Sequence, residues 1–265
     1  MTLKTILITG ATDGIGLETA KLLAAQGHGL LIHGRNAEKL ENVKETLAAV
    51  SGAGNIESYK ADFSNMANVE NMAKSTLDKH NRIDILINNA GVYKTAHPRT
   101  DEGLDLRFAV NLFAPYILTH RLMPIIPETG RVVNLSSAAQ APVDLSALSG
   151  DTKLGDMPAY AQSKLAITMW TRHMACEHSN GPLFSAVNPG SLLNTNMVKE
   201  GWGGSDNDVS IGADILVKAA LSDEFEGHSG DYFDNDSQRF AAPHPDGMNE
   251  QKISKLVQAI QNTLD

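Results

Sequence analysis

Tyr160-Ala161-Gln162-Ser163-Lys164 carries the most chemically suggestive spacing in this chain. Residues four apart share a helix face, so a helix here would set the Tyr160 phenol beside the Lys164 ammonium. A free phenol titrates at about pH 10, too high for efficient proton transfer at neutrality, and an adjacent cation lowers that value. A Tyr–Lys pair on an ordinary amphipathic helix has the same spacing. Upstream, Val133-Asn134-Leu135 runs into Ser136 and Ser137. Such serines either present a hydroxyl at a strand end or simply form a turn.

A second constellation lies near the start. Thr9-Gly10-Ala11-Thr12-Asp13-Gly14-Ile15-Gly16 follows an apolar run and opens a helical pattern. Glycines placed so allow a tight turn and let a pyrophosphate reach the N–H groups at the helix N-terminus. The order is Gly-x-x-x-Gly-x-Gly without a Gly-Lys-Ser/Thr ending, which argues against a P-loop. The next run ends Ile32-His33-Gly34-Arg35-Asn36, with no carboxylate where a ribose diol would be held. Arg35 stands there instead: either a guanidinium suited to a 2′-phosphate or a solvated strand-end arginine.

Other groupings carry less. His173, Cys176 and Glu177 are spaced i, i+3, i+4, but a second pair of ligands is missing, so no metal site is expected. A Gly-x-Ser-x-Gly elbow is absent, which argues against an α/β-hydrolase. Trp202 either lines a substrate site or anchors its own loop.

These residues need a scaffold. Apolar runs at Leu3–Thr9, Gly29–Gly34, Ile56–Lys60, Ile83–Asn88, Arg131–Ser136 and Pro182–Asn188 are mostly continuous, as in strands covered on both faces. Helical patterns at Ile15–Gln26, Ala37–Val50 and Asn68–Lys79 alternate with them. The alternation predicts one doubly wound Rossmann-type α/β domain over 1–265, with a mostly parallel sheet of about seven strands and helices on both faces. Two long connections interrupt the rhythm: an insertion over 138–158 and a Gly-, Asn- and Asp-rich segment over 191–210, expected to be a substrate lid. Gly227–Gly247 reads as turn-rich, and the stripe Ile253, Leu256, Val257, Ile260 and Leu264 must dock on its own domain or on a second subunit.

Composition narrows the class. The 265 residues are 42% hydrophobic and 20% charged, the balance of a globular chain and not of a disordered one. A net charge of −9 disfavours a nucleic-acid surface. One cysteine excludes an internal disulfide. Neither a membrane span nor a signal-peptide run stands out, so a cytoplasmic protein is expected.

Taken together, the glycine spacing, Asn88-Asn89-Ala90-Gly91, Ser137 and Tyr160-x-x-x-Lys164 resemble the short-chain dehydrogenase/reductase family. The resemblance runs from Lys4 to the tail. It implies that Gly10, Thr12, Asp13, Gly14, Ile15 and Gly16 form the dinucleotide turn, that Asp62 contacts adenine, and that Asn88, Ala90 and Gly91 lie beside the adenine ribose. Pro189 and Gly190 then form the nicotinamide-side turn. Thr195 lies one residue later than the family's usual threonine, with Asn194 in the expected place, so which of the two meets the cofactor stays open. Ser137 would hydrogen-bond the substrate oxygen and Ser136 would be structural. Asn111 would support a water leading to Lys164. Tyr160 and Lys164 would also contact the nicotinamide ribose.

The 23 positions from Ser137 to Tyr160 exceed the usual spacing and resemble the retinol-dehydrogenase-like and protochlorophyllide-reductase-like branch. The resemblance implies an NADP(H)-preferring oxidoreductase that interconverts a small-molecule carbonyl and alcohol, with NAD(H) as the alternative cofactor and a homodimer or homotetramer as the assembly. Asp13 stands where NADP-preferring members often carry a basic residue, which counts against Arg35. The rival readings are a dinucleotide-binding regulatory protein without turnover and a short-chain reductase acting on another unsaturated substrate.

Overall fold

A computed structural model describes residues 2–264, apart from the side chain of Trp202, so the two readings of that residue lie outside the described part. The strands are β1 (Thr5–Ile8), β2 (Gly29–Gly34), β3 (Ile56–Lys60), β4 (Ile85–Asn88), β5 (Arg131–Leu135), β6 (Leu183–Asn188), β7 (Tyr232–Asp234) and β8 (Arg239–Ala241). They form one sheet in the order β3-β2-β1-β4-β5-β6-β7-β8, parallel throughout except for antiparallel β8. The eighth strand exceeds the expected seven because the tail, read as turns, folds into the short β7–β8 hairpin. Strand order reverses between β1 and β4, and in open α/β sheets the crevice beyond such a switch point is where ligands bind.

Side chains alternate across the sheet and divide the core in two. Leu7, Leu31, Leu86 and Val132 face one layer, which is covered by α3 (Met66–Lys79), α4 (Leu106–Phe108), α5 (Ala114–Leu122), α7 (Asp156–Glu177) and α10 (Glu250–Leu264). Ile6, Ile8, Ile32 and Ile87 face the other, under α1 (Gly14–Ala25), α2 (Ala37–Ala48) and α9 (Ser210–Leu221). Continuous apolar strands are thus buried on both sides. The α10 stripe docks on its own domain: Ile253, Leu256, Val257 and Ile260 are buried in the first layer with Leu165 and Trp170 of α7.

Helix starts follow local chemistry. Asp13, Asn36 and Asn65 accept hydrogen bonds from backbone N–H groups at the first turns of α1, α2 and α3. The Asn65 cap starts α3 two residues earlier than the apolar periodicity alone suggests. Neither long connection is wholly irregular. The first contains α6 (Leu145–Leu148) and the start of α7, and the second contains α8 (Asn196–Trp202), capped by the Thr195 hydroxyl. Among the described residues, no helix is long and apolar enough to cross a membrane.

Candidate active site

The turn after β1 is shaped by its glycines. A Cβ on Gly16 would lie 2.3 Å from the Gly10 carbonyl oxygen, and one on Gly10 would lie 2.8 Å from the Ala90 Cα, so α1 and the segment after β4 close tightly on the turn. Gly10 and Gly14 have φ of +66° and +53°, the left-handed region that glycine enters freely. The N–H groups of Thr12, Ile15 and Gly16 make no backbone hydrogen bond within the described residues. Free N–H groups at a helix start, under a cradle that a Cβ would fill, fit a dinucleotide pyrophosphate.

Around this turn the expected residues gather at the carboxyl ends of the strands. Gly34 lies so close to Thr12 that a Cβ would be 2.5 Å from its methyl, which explains why β2 ends without a carboxylate. Arg35 follows, exposed, while Asp62 accepts from the Ser64 N–H. Asn88 turns its side chain into the core, where its amide donates to Thr119 Oγ1 and Asn134 Oδ1. The neighbouring Asn89, to which sequence reasoning gave no separate role, donates to the carbonyls of Thr9 and Gly10 and braces the turn. The Asp13 carboxylate caps α1 through the Gly14 N–H and accepts from the Asn196 amide of α8. Thr195 packs on Gly14 while its hydroxyl caps α8. Asn194 donates its backbone N–H to the Asn207 carbonyl.

Ser137, two residues past β5, stands beside the Tyr160 phenol, and its hydroxyl accepts the Ala139 N–H. Its neighbour Ser136 is occupied inside the fold, 2.6 Å from Thr168 Oγ1, and so ties β5 to α7. One turn beyond Tyr160, Lys164 is buried, and its ammonium donates to the Leu135 carbonyl at 2.7 Å. Its Nζ lies 5.6 Å from the Tyr160 ring centroid. Asn111 sits in a π-helical turn over Ala109–Phe113, a local widening frequent at functional sites. Its amide donates to Ser163 Oγ at 2.9 Å, and that hydroxyl donates to the Tyr160 carbonyl. Its oxygen accepts the Val92 N–H, beside Gly91. Arg107, fully buried, pairs with Asp105 at 2.9 Å and reaches Asp156 at 3.3 Å in the first turn of α7. It therefore joins the Asn111 segment to the Tyr160 helix.

The titration of the pair differs from the sequence expectation. Burial raises the Tyr160 pKa above the ordinary phenol value, the Ser137 hydrogen bond opposes that rise, and nearby Tyr93 adds to it. Burial also pulls Lys164 down to about 8.

Two groups went unassigned in the sequence. Tyr93 meets Tyr160 edge to face at 5.3 Å and lies so near Gly201 of α8 that a Cβ there would be 2.6 Å from its ring. The only signal for it was position, two residues past Gly91. At the Pro189–Gly190 turn, Asn235 donates to the Pro189 carbonyl, and Asp236 accepts from the Ser191 N–H and hydroxyl and from Asn188. Both come from the hairpin tail, and no local pattern linked them to this turn. Apart from the site, His173 lies 3.4 Å from the Glu177 carboxylate, and Cys176 is exposed.

The chain is similar over most of its length to proteins from several organisms. Human retinol dehydrogenase 13 is 30% identical over an alignment of 273 positions that covers 96% of this chain and 82% of that protein. Mouse retinol dehydrogenase 12 is 32% identical over 243 residues, 87% of this chain and 77% of that one. Among solved structures, landomycin C-6 ketoreductase LanV with bound NADP and rabelomycin superposes with a TM-score of 0.69 at 26% identity, covering 88% of this chain and 94% of that one. Residues 4–204 match the short chain dehydrogenase family, a stretch holding the glycine turn, Ser137 and the Tyr160–Lys164 pair. On that match the chain belongs to the short-chain dehydrogenase/reductase oxidoreductases, on the side of the retinol-dehydrogenase-like branch.

Proposed function

We propose that the protein is an NADP(H)-dependent oxidoreductase interconverting a carbonyl and an alcohol, with Tyr160 as the proton donor. The observation that carries this reading is the placement of the Tyr160 phenol beside Ser137 and one helical turn from buried Lys164, whose Nζ lies 5.6 Å from the phenol ring. A protein that only bound a dinucleotide would have no use for a positioned proton donor. The relatives' names support alcohol–carbonyl chemistry, and LanV with bound NADP supports the cofactor class.

The glycine turn, with Asp62, Asn88, Ala90, Gly91, Pro189, Gly190 and Thr195, would hold the dinucleotide, and Arg35 would face a 2′-phosphate. Bound there, NADPH supplies the hydride. Tyr160 gives its hydroxyl proton to the substrate oxygen, while Ser137 donates a hydrogen bond to the same oxygen and stabilises its developing charge. Burial keeps the Tyr160 phenol protonated, which suits the donor role in carbonyl reduction. Lys164 holds the nicotinamide ribose, and Asn111 fixes α7 through Ser163.

The test is steady-state kinetics on a ketone and aldehyde panel with NADPH and NADH, alongside cofactor-fluorescence titration. Tyr160→Phe should lose about 10²–10⁴-fold in kcat while binding NADPH nearly as the parent does. The parent should prefer NADPH by at least about tenfold in kcat/KM, and Arg35→Ala should remove most of that margin, as expected for one charge-assisted contact. A Tyr160→Phe variant within a few-fold of the parent would refute the proton-donor role. A parent preferring NADH would refute the cofactor assignment.

A further inference from the structure

β2 is apolar except for His33, which is buried two residues before Arg35. Its ring reaches both neighbouring parts of the dinucleotide cradle. Nδ1 accepts the Gly10 N–H at 3.2 Å, and Nε2 lies 3.1 Å from the Ala61 carbonyl oxygen. The ring stacks on Phe63 with centroids 3.9 Å apart and planes 11° from parallel. The backbone adds a further hold, since the His33 carbonyl accepts the Ala11 N–H at 2.9 Å.

The partners assign the proton. A carbonyl oxygen only accepts, so Nε2 carries the hydrogen toward Ala61, and Nδ1 offers its lone pair to Gly10. Burial draws this histidine down to about 4, so the same neutral tautomer persists through the physiological range. One side chain therefore engages the first amide of the glycine turn and the residue directly before Asp62. The amides of Gly10 and Ala11 are consumed by His33, whereas those of Thr12, Ile15 and Gly16 make no backbone hydrogen bond within the described residues.

Resting on the NADP(H) reading above, we propose that His33 is a positioning residue for the dinucleotide. Through Gly10 it presets the pyrophosphate-facing amides, and through Ala61 and Phe63 it presets the adenine side. A side chain that only filled space would need neither ring nitrogen. Simple packing by His33 and positioning by His33 therefore differ in what a ring without nitrogens would do.

The experiment compares His33→Phe, which keeps a stacking ring but loses both hydrogen bonds, with His33→Asn, whose carboxamide oxygen replaces the acceptor at the δ position. NADPH Kd by fluorescence titration is measured with KM for NADPH, kcat at saturating cofactor and a thermal melt. The Phe variant should bind NADPH about tenfold more weakly with kcat within about threefold of the parent, and the Asn variant should recover most of the affinity. A merely structural role would lower the active fraction, and with it the apparent kcat, without moving KM. A folded Phe variant with parental Kd overturns the proposal, and so does an Asn variant as weak as the Phe one. If the Phe variant does not fold, His33→Gln, whose carboxamide lies at the ε position and leaves the Gly10 N–H unpaired, takes its place: about tenfold weaker NADPH binding than the Asn variant supports the role, and equal binding overturns it. A parent that binds no dinucleotide would instead sink the NADP(H) reading itself.

Discussion

Lys164 carries two opposing demands in one side chain. On the proposed reading its charge serves the nicotinamide ribose, yet it is 4% exposed and donates to the Leu135 carbonyl. Burial lowers its pKa from 10.5 to about 8, so the ammonium form is disfavoured in the fold. The resulting cost to stability is fully present below about pH 8, shrinks as pH rises through the folded value, and vanishes near the ordinary lysine value, where folded and unfolded chains bind equal protons. Lys164→Met should therefore raise the thermal midpoint at pH 7, with a smaller gain at pH 10, while NADPH affinity and turnover fall. Melting curves at the two pH values check this. An equal gain at both would mean that packing, not charge, is responsible. The gain in stability at the expense of function is the usual trade at a site built around a desolvated charge.

Among the elements, α8 and the segment around it behave as a separate piece resting on the site. Among the described residues, Asn196 on Asp13, Thr195 on Gly14 and Gly201 against Tyr93 hold it down. Its root is Gly190, Ser191 and Leu192, where φ is +116° at Gly190 and +51° at Leu192, a left-handed conformation that a leucine adopts only under constraint. Asp236 supplies that constraint by binding Ser191 twice. Hydrogen exchange over 191–210 should slow on adding NADPH, as expected of a lid closing over its ligand. Asp236→Ala should speed exchange in the same segment and leave α7 protected as before. Equal, strong protection with and without NADPH would make the segment a rigid part of the scaffold.

For the whole molecule, the two core layers decide how rigidly α7 presents Tyr160. α10 closes the first layer by burying Ile253, Leu256, Val257 and Ile260 against α6 and α7. Leu256 is fully buried, so Leu256→Ala removes its packing and leaves a cavity, at a cost of about 2–5 kcal/mol. For a domain of this size that corresponds to a drop of roughly 5–15 °C in the melting midpoint. A differential-scanning measurement giving less than about 2 °C would mean that α10 is loosely held. The polar ties across the layers have a similar effect. Buried Arg107 with Asp105 and Asp156, and Ser136 with Thr168, each join α7 to another part of the fold.

Much of this architecture was legible in the chain because it depends on neighbours in sequence. Continuous apolar runs marked six of the strands, and the four-residue step from Tyr160 to Lys164 set both on one helix face before any packing was known. The glycine turn was equally local, since its φ angles require the residues that occupy it. The tertiary structure decided what depends on distant partners. The direction of the Tyr160 shift came from burial and from Tyr93, and no spacing along α7 encodes either. Asp236 grips Ser191 from 45 residues away, and His33 meets Gly10 across 23. The apolar stripe of α10 required a docking face but did not name one. Periodicity and capping act over a turn or two of chain, whereas desolvation and hydrogen-bond clamps arise only when the sheet brings separate segments together.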